Sequence, residues 1–436
     1  MIRRLSIALT VGIVALTVSV PAASAQEPGL RSAADAAGIE FGSAVTAGAL
    51  SDEAYRTLLI DNVNMLSTVD EVDTAVVQPQ PGVYDFARAD ELVDFAAAND
   101  MAVRGHRLVT SDGLPDWIVN GTWTAETLGE VLRDHVTTVV SRYADRNPGV
   151  VTQWDVVDEA FLPDGTLRNS IWRQVIGDDY LRIAFEAARA ADPTAQLFYD
   201  DFYDDLSVAQ DAVDSNVPIV PGATTERSSC ADVPKCVRVQ VTISGLVGAG
   251  VPIDGIGLQS RILSPNPLDV TQFTTWVEDL GLRWAITESD VPLPTTEITN
   301  ADSLEFQAQV YADTLSACVD SAACDTFVTW GVTDRLPPSP DPTGGAFGGA
   351  LWFDAADSPK PAFTAMKTVL EESASAAPMT SSPSLTDSTI APVTPSTAVD
   401  PEGDTENDSG PAAGLLIGGL ALAVVAGIVF ALRRRR

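Results

Sequence analysis

Between Leu30 and Leu370, short apolar runs alternate with longer stretches of helical periodicity. This pattern predicts parallel strands, each followed by a covering helix. The runs predict eight strands, over residues 40–45, 60–66, 102–109, 150–157, 196–199, 255–259, 283–287 and 326–331. Helical periodicity fills 89–99, 124–143, 172–191, 237–249, 270–280, 303–318 and 359–370. Thr124 ahead of Thr127, with Glu126 in the first turn, reads as a helix start, and Asp192-Pro193 as a helix stop. Eight such units over about 340 residues describe one α/β domain, a (β/α)8 TIM barrel whose active residues sit at the carboxyl ends of the strands. An open doubly wound sheet is the alternative, but no Gly-rich phosphate turn follows the first strand.

The ends of the chain carry a different pattern. Residues 1–25 hold Arg3 and Arg4, an apolar stretch and the small residues Ala23-Ser24-Ala25, which reads as a cleaved export signal. The barrel is expected over 26–370, followed at 371–411 by a Ser/Thr/Pro-rich, then acidic segment too poor in apolar residues to offset its ordering entropy, hence a disordered stalk. Residues 412–432 are uncharged and long enough to span a bilayer as one C-terminal transmembrane helix, and 433–436 are four arginines that stay on the cytoplasmic side. The expected location is therefore extracellular, anchored in the plasma membrane.

Sixty acidic against 26 basic residues give a formal net charge of −34. Such a surface repels phosphate backbones and argues against nucleic acid as a partner. Cys230 with Cys236 and Cys318 with Cys324 read as two local disulfides of an exported protein, expected to pin turns more than to supply global stability. With His106 and His135 the only histidines, a metal site is not expected.

Two glutamates close apolar runs far apart in the chain, Glu159 after Trp154-Asp-Val-Val-Asp and Glu288 after Trp284-Ala-Ile-Thr. Either alone would read as a cap or loop ion pair. At the ends of the fourth and seventh strands they would share one barrel mouth. Paired carboxylates there suit double-displacement glycosyl chemistry, in which an acid protonates the departing oxygen and a carboxylate attacks the sugar carbon.

The flanking landmarks are Phe41-Gly-Ser-Ala-Val, Pro81-Gly-Val-Tyr-Asp-Phe, Val103-Arg-Gly-His, Leu114-Pro-Asp-Trp, Trp154-Asp-Val-Val-Asp-Glu, Ile253-Asp-Gly-Ile-Gly-Leu-Gln, Ile286-Thr-Glu, Thr329-Trp-Gly-Val-Thr-Asp and Pro359-Lys-Pro-Ala-Phe. In this order they resemble glycoside hydrolase family 10, the retaining endo-β-1,4-xylanases. The resemblance implies Glu159 as acid/base, Glu288 as nucleophile, Trp330 as an aromatic wall under the sugar, and Gln259, His106 and Asp155 as matching positions. His106 is expected to be an internal hydrogen-bonding residue rather than a proton carrier.

The chain departs from the family at Asp158, where Asn is usual, and at Arg261, where His is usual. Added negative and positive charge suggest compensation, so Arg261 is expected to pair with Asp158 or Glu288. Val69-Asp-Glu-Val-Asp-Thr replaces Glu-Asn-x-Met-Lys-Trp, Thr110-Ser-Asp-Gly replaces Trp-His-x-Gln, and Asp200-Asp-Phe-Tyr replaces Asn-Asp-Tyr-Asn. The loop after Asp334 lacks the usual second tryptophan. Asp70, Asp73, Asp112, Asp158 and Asp200 could together form an acidic mouth suited to a cation or an amino sugar, or be solvated loop acids. The resulting expectation is a cofactor-free monomer acting on a polysaccharide or oligosaccharide, first of all a β-1,4-xylan. A non-catalytic polysaccharide-binding barrel and a cell-envelope transglycosylase with non-xylan specificity stay open.

Overall fold

The computed structural model describes residues 29–203, 229–261, 270–339 and 345–376. The expected export signal, transmembrane helix and basic tail lie outside the described residues, as does the expected stalk from residue 377 on; residues 371–376, expected as its start, instead continue the helix Pro361–Ala376. Among those described, no helix is long and apolar enough to cross a membrane.

Eight parallel strands close into a barrel in sequence order: β1 Glu40–Ala44, β2 Met65–Ser67, β3 Ala102–Gly105, β4 Val151–Asp158, β5 Gln196–Phe202, β6 Gly255–Arg261, β7 Arg283–Asp290 and β8 Cys324–Thr329. Closure is made at Gly42, which faces Met65 of β2 on one side and Val328 of β8 on the other. The expected helices wrap the outside. The one at Tyr180–Ala191 buries Leu181, Ala184, Phe185 and Ala188 on one face, as its periodicity requires. That at Ala125–Arg146 starts where Thr124 and Thr127 exchange side-chain bonds to each other's backbone N–H.

Several boundaries differ from expectation: β3 stops at Gly105 rather than 109, β5 runs on to Phe202 rather than 199, and three further differences have a local cause. Residues 60–62 are not strand but the end of a helix, Glu53–Asn62, begun by Asp52 accepting from the Tyr55 N–H, so β2 shrinks to three residues. The stretch 172–191 breaks into Ile171–Ile176 and Tyr180–Ala191 at Gly177, whose φ of 87° suits glycine and ends a helical turn. β7 runs three residues further than its apolar run, so Glu288 lies inside the strand, opposite Gln259 beyond a register shift in β6. Both expected disulfides form. Cys230–Cys236 ties a short 3-10 turn to the helix Pro234–Gly248, and Cys318–Cys324 ties the helix Ala301–Val319 to β8.

The amino-terminal end of the barrel is plugged by polar groups rather than by aliphatic layers. Glu40 accepts from Gln153 Nε2 at 2.6 Å and from Thr326 Oγ1 at 3.3 Å. Burial, and then the Asp325 carboxylate, push Glu40 up to about 7 against its ordinary 4.5. The folded state thus holds this proton more tightly than the unfolded chain, so stability falls as pH rises from 4.5 to about 7. Glu40→Gln is expected to raise the melting temperature at pH 8, by up to roughly 2–3 kcal/mol of stability, and to leave it unchanged at pH 4. Thermal unfolding at the two pH values decides this, and an equal effect at both would rule it out.

Candidate active site

Glu159 is the first residue beyond β4, with φ of 47°, a left-handed conformation seldom adopted by a side-chain-bearing residue. Its N–H donates to the Asp200 carbonyl at 2.9 Å, which fixes the turn against β5. Arg168 grips it twice, from Nη2 to Oε2 at 3.2 Å and from Nε to the backbone oxygen at 2.8 Å. Lys235 lies behind, 2.5 Å from Asp201 and over the Phe202 ring. Burial raises the Glu159 carboxyl, the charges of Asp158 and Asp201 raise it further, and Arg168 and Lys235 pull it back.

Glu288 is buried in β7. His106 Nε2 lies 3.7 Å from its Oε1, and the other ring nitrogen, Nδ1, lies 3.0 Å from Asp155 Oδ2. Burial alone would lower His106, but the hydrogen bond to Asp155 and the charges of Asp158, Asp155 and Glu288 outweigh it and push the ring up to about 10. The imidazole is therefore cationic at neutral pH, a fixed positive partner for Glu288, which agrees with its expected internal hydrogen-bonding role. Burial raises Glu288, His106 and Arg261 oppose that rise, and Asp158 and Glu159 add to it.

Arg261 does not pair with Asp158 or Glu288. Its Nε and Nη2 both donate to Asp290 Oδ2, at 3.0 and 2.8 Å, because Arg261 of β6 and Asp290 of β7 are register partners. It acts on Glu288 only through longer-range charge. The compensation for Asp158 comes from Arg107, whose Nη1 donates to Asp158 Oδ2. Gln259 Nε2 bridges Asp158 Oδ1 and Asp200 Oδ2 at 3.0 and 3.1 Å.

The five aspartates do not form one open acidic mouth. Asp70 pairs with Arg88, while Asp73, Asp112 and Asp158 all face Arg107. Asp200 is enclosed in the barrel, held by Gln259 and by Thr287 Oγ1 at 2.6 Å. Burial and the charges of Asp155 and Asp158 push it well above the carboxylate range. Gly257 makes room for it, since a Cβ there would sit 1.8 Å from Asp200 Oδ1. His106, Asp155 and Asp200 bring ligand-type atoms within 4.8 Å of one another, but Arg104 already binds both oxygens of Asp155, so the cluster is internally neutralised.

Trp330 follows β8 directly. It meets the His106 ring edge-on at 5.4 Å, and its Nε1 donates to Ser339 at 2.9 Å. The candidate residues Glu159, Glu288, Trp330, Gln259, His106, Asp158 and Arg261 thus gather at the carboxyl ends of β3, β4, β6, β7 and β8. Arg107, Arg168, Lys235 and Asp290 belong to the same network and were not anticipated. Arg107 directly follows the His106 landmark, and Asp290 lies two residues past Glu288 as Arg261 lies two past Gln259.

The chain matches the profile of glycosyl hydrolase family 10 over residues 29–218 and 228–369. It is 31% identical over 351 residues to endo-1,4-beta-xylanase A of Fusarium oxysporum f. sp. lycopersici, covering 77% of this chain and 96% of that protein. Native xylanase 10B from Thermotoga maritima superposes with a TM-score of 0.68 at 35% identity, covering 80% of this chain and 99% of that one. Xylanase 10B from Thermotoga petrophila RKU-1 in complex with xylobiose gives 0.68 at 34% identity, over 80% and 99%.

Proposed function

The chain belongs to glycosyl hydrolase family 10, and on that footing we propose that it cleaves β-1,4-linked xylan or a related xylose-containing polymer by double displacement. Glu159 gives its proton to the glycosidic oxygen while Glu288 attacks the anomeric carbon, so the C–O bond to the leaving chain breaks as the ester to Glu288 forms. Glu159, now ionised, takes a proton from water. The hydroxide equivalent displaces Glu288, and the product retains its β configuration.

The observation that carries this reading is that Glu159 and Glu288 sit at the carboxyl ends of β4 and β7 in one barrel mouth, Glu159 held by Arg168 and Glu288 beside the His106 ring. His106 and Arg261 favour the ionised form of Glu288, as a nucleophile requires, whereas Asp158 and Asp201 favour the protonated form of Glu159. Arg168 opposes the latter and orients the carboxyl. Burial leaves both carboxyls raised, Glu159 to about 7 and Glu288 to about 8, so the assignment of acid/base and nucleophile rests on the position each holds in the family pattern. The relative solved with xylobiose supports a xylose-containing ligand. Residues 1–25 and 412–432 support a barrel exported and tethered to the membrane.

Incubation with a panel of β-glycans, with reducing-end release and the anomeric configuration of the first product read by NMR, tests the reading. Xylan is expected to release β-anomers first. Initial α-anomers, or no release from any glycan, would sink it. Longer oligomers built from defined donors would favour a transglycosylase instead.

A further inference from the structure

The helix Pro234–Gly248 begins without a side-chain cap at Val233, and the disulfide Cys230–Cys236 closes its first turn instead. A cross-link over so short a span confines the turn Cys230–Asp232 to the helix start. Pro234 and Lys235 lie inside this closed loop. The Lys235 side chain is 1% exposed, with Nζ 2.5 Å from Asp201 Oδ1 and 3.1 Å over the Phe202 ring. Asp201 also accepts from the Phe202 N–H at 3.0 Å and from the Tyr199 hydroxyl. The end of β5 is thereby held from the helix start, and that end carries the Asp200 carbonyl on which the Glu159 N–H rests, at 2.9 Å.

Pro234 meets the segment that carries Arg168. Residues 160–168 form a short hairpin, in which the Arg168 N–H donates to the Ala160 carbonyl and the Leu162 N–H to the Thr166 carbonyl, both at 2.8 Å, while Phe161 and Leu167 pair antiparallel. Its tip packs against the helix start: a Cβ on Gly165 would lie 2.6 Å from the Pro234 carbonyl oxygen. At the other end of the hairpin Arg168 grips the Glu159 carboxylate and backbone oxygen. Glu159 is thus held from two sides, by β5 and by the hairpin. Both supports touch the same disulfide-bonded helix turn.

We propose, resting on the reading of Glu159 as the acid/base, that Lys235 is a positioning residue: together with the Cys230–Cys236 disulfide it braces the end of β5 and the hairpin 160–168, and so fixes the place of the Glu159 carboxyl. Sealed from solvent, the amine cannot reach a sugar. Its effect passes through contacts, from Lys235 by Asp201 and the Asp200 carbonyl to the Glu159 N–H, and from Pro234 by Gly165 to Arg168. An acid displaced by about 1 Å loses rate in the step where it delivers a proton, and not where the leaving group departs without one. Loss of the brace therefore gives a defect that depends on the leaving group, which a general loss of fold does not.

The test compares kcat/KM of the full-length protein on xylan and on a dinitrophenyl β-xylobioside, whose phenolate leaves without a proton. Lys235→Met, and separately Cys230→Ala with Cys236→Ala, are each expected to lose about 10–100-fold on xylan and less than about threefold on the aryl substrate. Cys318→Ala with Cys324→Ala opens the disulfide at the amino end of β8 and should leave the ratio of the two activities unchanged. Amide exchange of the peptide 159–168 should quicken in the two brace variants and not in this control. Equal losses on the two substrates, or exchange at the wild-type rate in both brace variants, overturns the role. The disulfide variant carries the comparison if Lys235→Met does not fold. A wild type that cleaves neither substrate, with exchange quickened as expected, removes the hydrolase reading and leaves the brace standing.

Discussion

Glu288→Ala is expected to slow xylan hydrolysis by roughly 10⁴-fold or more while leaving the protein folded, because it removes the group proposed to form the covalent bond. The fold should survive because burial already raises this carboxyl, which means that the ionised form is held at a cost to the native state. The melting temperature should therefore stay level or rise. Glu159→Ala should lose about 10²–10⁴-fold on the polymer and far less on an aryl glycoside whose leaving group needs no proton. Added azide separates the two roles. In Glu288→Ala it would enter from the face left by the nucleophile and give an α-glycosyl azide. In Glu159→Ala the covalent ester still forms, and azide would displace it to give the β-product. The reverse stereochemistry, or turnover of either variant within tenfold of the wild type on xylan, would remove the assignment.

The features legible in the sequence are those that repeat or that sit at element ends. Parallel strands buried on both faces leave continuous apolar runs, so seven of the eight barrel strands lie close to their expected ranges. β2 was obscured because Leu58, Leu59 and Ile60 continue an apolar run on a helix. Glu159 and Glu288 were legible because each ends such a run. Charge pairing was not legible to the same degree. Compensation for Asp158 was expected from Arg261 and does not come from it; the partner, Arg107, lies 51 residues away and meets Asp158 only when β3 and β4 pair. The Arg261–Asp290 contact needed the β6–β7 register, which became readable once Gln259 faced Glu288: both strands step two residues further and bring opposite charges together. Arg168 and Lys235 reach the site from segments outside the strands, where no periodicity announces direction. Substrate recognition suffers from the same limit. Thr74, at the position of a family tryptophan, is buried and lies 3.3 Å from His135 Nε2 rather than offering an aromatic face to a sugar.

The largest effect on stability is expected from Asp155→Asn, which removes the negative charge from the centre of the barrel. Arg104 and Asp155 are both fully buried, with Arg104 Nε 2.9 Å from Asp155 Oδ2, its Nη2 on Oδ1 and its guanidinium 4.4 Å over the Phe198 ring. Burial alone would raise Asp155, but Arg104 and His106 hold it below the usual carboxylate range. Taking away one partner of such a pair leaves an uncompensated buried cation, a loss of about 3–5 kcal/mol. In a domain of this size that corresponds to roughly 10 °C in melting temperature. The pH dependence identifies the cause. His106 is pushed up to about 10 in the folded protein against 6.5 ordinarily, so its stabilising contribution is complete below 6.5 and is lost as pH climbs through 10. Asp155→Asn removes the negative charge from the acceptor chiefly responsible, so this alkaline loss should flatten in the variant. Replacing both partners, as Arg104→Met with Asp155→Leu, should recover part of the stability, since no guanidinium is then left unpaired and the His106 ring, without its Asp155 partner, can stay neutral. Thermal unfolding of the single and double variants from pH 5 to 10 decides the matter: a cost below about 1 kcal/mol, or an alkaline slope unchanged in Asp155→Asn, would mean that this buried triad does not anchor the barrel beneath Glu288.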